Sequence, residues 1–174
     1  MVAPRIGVLY LDATKGCERL MHMEHGSIER DIHVEASPEV VFEVISRPEH
    51  MREWWPDDAR FEPVAGAPGD LVWRNVDTGE TTTVALAVVE VDPPKRFSFR
   101  WCFSDPERSG RSLLVTFDLV PTDDGTTIRM TETGFREMGW EVAVLEQHYN
   151  DHVSGWDHYI PSLGTYVAQI VATP

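Results

Sequence analysis

Alternation of apolar and polar residues sets the first element. Ile28, Arg30, Ile32, Val34 and Ala36 share one face of a strand, and Glu29, Asp31, His33 and Glu35 share the other. Ser37-Pro38-Glu39 then supplies a capping hydroxyl, a proline suited to the first turn and an acidic residue at the positive end of a helix dipole. Val40, Val41, Phe42, Val44 and Ile45 make the apolar side of that helix, and Arg47-Pro48-Glu49 opens a second short one running into Trp54-Trp55-Pro56. Strands are predicted over 58–65, 70–76, 80–92, 95–103, 111–121 and 126–134. Turn signals separate them: Gly66 to Gly69, Asp77-Thr78-Gly79, Asp92-Pro93-Pro94, Asp105 to Gly110 and Asp123-Asp124-Gly125. Such short connections imply antiparallel pairing. From Gly139 to Val171 the chain reads as one long helix. The order predicts an α+β fold: a curved seven-stranded antiparallel sheet wrapped around the C-terminal helix, with two short helices after the first strand.

Strand parity sorts the side chains facing that helix. Phe97, Phe99, Trp101 and Phe103 point inward and Cys102 outward. Leu113, Val115, Phe117 and Leu119 form the next inward set, then Ile128, Met130 and Glu132; Leu71 and Trp73 share parity with Asn75. Phasing the long helix at about 100° per residue places Tyr149, Trp156, Ile160 and Leu163 on one stripe, with His152 inside it and His148 at its edge. The inward set is aromatic with a few polar members, Glu132, His152, Asn75 and Tyr159. Residue types alone favour a filled core over an apolar pocket with a few orienting groups, although both have this lining. Gly155, beside Trp156, reads as a point of close approach to the sheet, where Gly155→Leu would overpack.

Charge narrows the function classes. The 174 residues carry 15 Lys plus Arg against 29 Asp plus Glu, a formal net charge of -14. No Lys or Arg follows Arg136. So acidic a surface repels phosphate backbones and anionic lipid, which argues against nucleic-acid and membrane partners. Two cysteines, Cys17 and Cys102, make no disulfide framework, so both read as thiols of a cytoplasmic protein with no intramolecular disulfide. Residues 1–26 differ in character from the rest and read as an N-terminal extension; 27–174 read as one domain.

Four segments carry a resemblance to a known family. They are Val91-Asp92-Pro93-Pro94-Lys95-Arg96-Phe97-Ser98-Phe99-Arg100-Trp101, Thr131-Glu132-Thr133-Gly134-Phe135, His152-Val153-Ser154-Gly155-Trp156 with Ile160 and Leu163, and Ala36-Ser37-Pro38-Glu39-Val40-Val41-Phe42 with Trp54-Trp55. In this order, over residues 27 to 171, they resemble the family similar to the C-terminal domain of the activator of heat shock protein 90 ATPase. That family lies in the START-like, birch-pollen-allergen-like helix-grip superfamily. The resemblance implies a helix-grip fold with a cavity between sheet and helix. It implies no catalytic residue and no function, because such proteins include co-chaperone domains, lipid and polyketide binders and cyclase-type enzymes.

The chemistry is sparse. His148 and His152 have the i, i+4 spacing of a metal pair, but the phasing splits them and no zinc signature is completed, so no metal site is assigned. Glu132 faces inward; it reads either as a ligand anchor or general base near His152, or as a strand-end carboxylate near solvent or paired with Arg74 or Arg129, and the second reading is favoured. One of Trp54 and Trp55 reads as core and the other as gate. No nucleophile elbow and no phosphate loop is present. The leading expectation is a protein that binds a small hydrophobic or aromatic molecule, without a cofactor, as monomer or homodimer. Its candidate ligand-binding residues are Trp55, Trp73, Phe99, Trp101, Phe117, Met130, Glu132, His152, Trp156 and Tyr159. The alternatives are a co-chaperone module acting on heat shock protein 90 and a cofactor-free polyketide cyclase or aromatase using Glu132, His152 or Tyr159.

Overall fold

The computed structural model describes residues 26–102 and 111–172. Cys17, Phe103 and the turn at 105–110 lie outside the described residues. The chain runs β1 (Ser27–Val34), α1 (Pro38–Ser46), α2 (Pro48–Met51), β2 (Asp58–Phe61), β3 (Pro68–Arg74), β4 (Thr81–Asp92), β5 (Arg96–Cys102), β6 (Leu114–Thr122) and β7 (Gly125–Thr133). A single 3₁₀ turn (Arg136–Met138) then leads to α3 (Val142–Ala172). All strands pair antiparallel in one sheet, ordered β1-β7-β6-β5-β4-β3-β2. This is the α+β helix-grip fold that the sequence predicts.

Local chemistry explains most of the boundaries. The Ser37 hydroxyl accepts a hydrogen bond from the Val40 N–H, and Pro38 occupies the first turn of α1. Strand β3 stops at Arg74 because Asn75 turns the chain: its side-chain oxygen accepts from the N–H groups of Asp77 and Thr78. Asn75 therefore stands exposed in the β3–β4 turn, not on the inner face where parity put it. The long helix starts three residues later than predicted. Gly139 takes φ +66° and ends the 3₁₀ turn, so the helix begins afresh at Val142. Pro161 lies inside α3 without dividing it.

The inner face is close-packed along rows that cross the sheet. One row pairs Val88, Phe99, Val115, Glu132 and Ile28 across five strands; the next pairs Val91, Phe97, Phe117, Met130 and Arg30. Phe97, Phe99, Phe117 and Met130 have no solvent exposure. Helix α3 lies over these rows, burying Trp156, Ile160, Leu163 and Val167. It reaches β1 through Arg30, whose Nε donates to Asp157 at 2.7 Å. The close approach of helix to sheet falls at Gly164, where an added Cβ would sit 2.6 Å from Cδ1 of Ile32. At Gly155 such a Cβ would meet no heavy atom within 4 Å. The expectation that Gly155 marks the tight contact, and that leucine there would overpack, is therefore corrected. Cys102 is exposed and unpaired.

Candidate functional site

Glu132 organises the space between sheet and helix. It is fully buried, with buried neighbours in register on both sides, Val115 on β6 and Ile28 on β1. An isolated carboxylate in such a place would be expensive, so it needs partners. It has three. Trp101 Nε1 donates to one oxygen at 2.8 Å and Trp156 Nε1 to the other at 2.7 Å. His152 Nδ1 lies 2.9 and 3.0 Å from the two. The donors come from β5 and from two successive turns of α3, so one carboxylate ties helix to sheet. Neither arginine expected as a partner pairs with it. Arg129 pairs with Asp31 on the outer face at 3.1 Å, and Arg74 is exposed. The strand-end reading of Glu132 fails because the chain beyond β7 folds back as a lid. Phe135 and Met138 are buried there, and the Phe135 ring meets that of His152 edge-on at 5.6 Å.

Above this carboxylate lies a cavity of about 200 Å³. Trp55, Trp73, Trp101, His152, Trp156 and Tyr159 line it, with Val84 and Gly155. Six of the ten candidate residues thus meet around one space. Trp55 is the hub: its ring lies 4.9 Å from Trp156, 5.7 Å from Trp101 and 6.0 Å from Trp73. Trp54 turns the other way and donates through Nε1 to the carbonyl of Val44.

The other four candidates stand apart from the wall. Phe99, Phe117 and Met130 are fully buried behind it as core, and Glu132 lies beneath it with no exposed surface. Parity names a face, but it does not separate a side chain at the cavity from one a row deeper. Val84 and Gly155 were missed as lining residues. Val84 shares the parity of Leu86 and Val88 on β4, a signal that was available. Nothing in the sequence distinguishes a glycine that admits a neighbour from one that leaves a space.

No metal pair forms at 148 and 152. The His148 ring stacks on Trp140 at 4.4 Å, and His152 Nδ1 faces Glu132. Among the described residues no group of three or more His, Cys, Asp or Glu is placed to hold a metal ion, and no helix is long and apolar enough to cross a membrane.

Fold and site together define a helix-grip protein with a tryptophan-walled cavity over a buried, hydrogen-bonded carboxylate. Comparison with known proteins narrows the class. Residues 35–168 match the family described as Activator of Hsp90 ATPase homolog 1-like protein, and the chain belongs to that family. No curated protein matches the chain. Among solved structures, a Mesorhizobium loti protein is similar at 24% identity and TM-score 0.65, over 82% of this chain and 97% of that one. The solution structure of an Aha1 dimer from Colwellia psychrerythraea is similar at 18% identity and TM-score 0.62, over 81% and 95%. CalU16 from Micromonospora echinospora is similar at 17% identity and TM-score 0.59, over 84% and 78%. At these identities the likeness establishes the fold.

Proposed function

We propose that this protein binds a small aromatic molecule in the cavity between sheet and helix. The observation that carries the reading is the partly open space itself, which has an apolar lining and a single histidine set in it. A core built only for stability would fill such a space, because voids forfeit contacts on every side. Here Gly155 keeps the helix side open, at a cost to helix propensity of up to about 1 kcal/mol. Four tryptophan rings offer stacking faces, and a ring between them would gain affinity from buried apolar area and from ring–ring geometry.

Gly155→Leu is the direct test. The side chain would project into free space, so the fold should hold, with stability unchanged or raised by up to about 1 kcal/mol. Binding of naphthalene, read by calorimetry and tryptophan fluorescence, should fall at least about tenfold as the space fills. Unchanged binding by this variant would place the ligand elsewhere. The absence of any binding by the wild-type protein would remove the proposal.

Family membership and the Aha1 dimer support a second reading, an interaction module for a chaperone of the heat shock protein 90 type, acting as monomer or dimer. Stimulation of that chaperone's ATPase by the purified protein, undiminished in Gly155→Leu, would favour it. The cyclase reading has less support, because Glu132 has no surface exposed to a substrate and both its oxygens are engaged. The low cysteine content and acidic composition accord with a cytoplasmic protein.

A further inference from the structure

The hydrogen bonds around Glu132 define what kind of aromatic molecule the cavity reads. Resting on the binding function proposed above, we infer that the ligand is a one- or two-ring phenol whose hydroxyl donates a hydrogen bond to Nε2 of His152.

The argument starts at the carboxylate. An ionised carboxylate only accepts, so the His152 Nδ1 facing both Glu132 oxygens at 2.9 and 3.0 Å carries a hydrogen. In the neutral ring that hydrogen is the only one, and Nε2 presents a bare lone pair. The carboxylate also fixes the ring's orientation and strengthens that lone pair as an acceptor, as carboxylates do for metal-binding histidines. Trp101 and Trp156 spend their N–H groups on Glu132, so at the wall they offer carbon surface. The remaining side-chain polar atoms at the wall are the Tyr159 hydroxyl, the indole N–H groups of Trp55 and Trp73, and Nε2 of the half-buried His152 ring; of these, Nε2 is the one that can only accept. The complement of a lone pair is a donor.

Charge and size exclude the other classes. The wall contains no Lys or Arg, and Glu132 lies directly beneath, so an anionic headgroup would find a like charge and no counter-charge. A cavity of roughly 150 Å³ takes benzene. At about 200 Å³ this one suits a two-ring system and is too small to enclose a long acyl chain.

The test is a calorimetric series on the wild-type protein near neutral pH with 2-naphthol, naphthalene, 2-methoxynaphthalene and 2-naphthoate. The expected result is 2-naphthol bound about tenfold more tightly than naphthalene or the methyl ether, with 2-naphthoate weakest. In His152→Phe, 2-naphthol should lose its preference and bind within about twofold of naphthalene, and a cooperative melt followed by circular dichroism shows that the variant is folded. If the variant does not fold, the wild-type series decides alone. Naphthalene binding as tightly as 2-naphthol would overturn the phenol inference and leave the cavity's binding function standing. So would equal affinity for the methyl ether, since the donor would then not be read. Failure of all four probes to bind would overturn the binding function as well.

Discussion

Glu132→Leu should lower the unfolding free energy by about 2–4 kcal/mol. The substitution removes an acceptor that three donors share, two of them on tryptophans with almost no exposure. Each buried N–H left without a partner costs about 1–3 kcal/mol. His152, half-buried, recovers part of its loss from water. Against this, an apolar side chain avoids the cost of burying a carboxylate, which is why the net effect is smaller than the sum. Glu132→Gln should cost less, about 1–2 kcal/mol. Its carbonyl oxygen keeps one indole donor, while its amide N–H groups face the others. Urea unfolding of the three proteins checks the order. For a domain this size the leucine variant should melt roughly 5–12 °C lower. A leucine variant as stable as wild type would show that the network costs as much to bury as it returns.

Trp55→Ala should be the most damaging single change at the cavity wall, at about 3–5 kcal/mol. The ring packs against five others: Trp54, Trp73, Phe99, Trp101 and Trp156, with centroids between 4.9 and 6.0 Å. It is only 8% exposed, so almost all of its surface contributes to burial. Its neighbours belong to α3, β3 and β5, elements whose positions are fixed by other contacts, so the site can collapse only in part and a void remains. That void would join the existing cavity. The variant should therefore lose affinity for two-ring probes and gain it for three-ring ones, measured by calorimetry below its melting temperature. Stability lost without a change in size preference would mean that the wall had collapsed inward.

The fold was legible because its two periodicities are clean. Phe97, Phe99 and Trp101 alternate with polar residues, and the turn residues between strands are those that turns require. The site was legible only in part. Parity put Glu132 on the inner face, yet its partners could not be read. Two of them are tryptophans, which any hydropathy pattern scores as apolar although each carries one N–H donor. They also lie 31 and 24 residues away in sequence, on β5 and α3, so only the packed fold brings them to one carboxylate. Nearest in outward form was the His152 reading, since helical phase alone places it inside the stripe. Asn75 and Gly155 were misread for a common reason: each has a local role, a turn in one case and an absence of contact in the other, and alternation carries no signal for either.

The bond pattern at Glu132 also constrains how a molecule reaches the cavity. Lifting α3 off the sheet would expose the carboxylate and break the Trp156 and His152 contacts together, so the helix is a poor gate. The remaining route is past the half-buried side chains at the rim, Trp73, Val84 and Tyr159. Side-chain rotations there are fast, on the order of nanoseconds where exposed. Exchange of ligand should accordingly be limited by diffusion and affinity, with no slow conformational phase in stopped-flow traces.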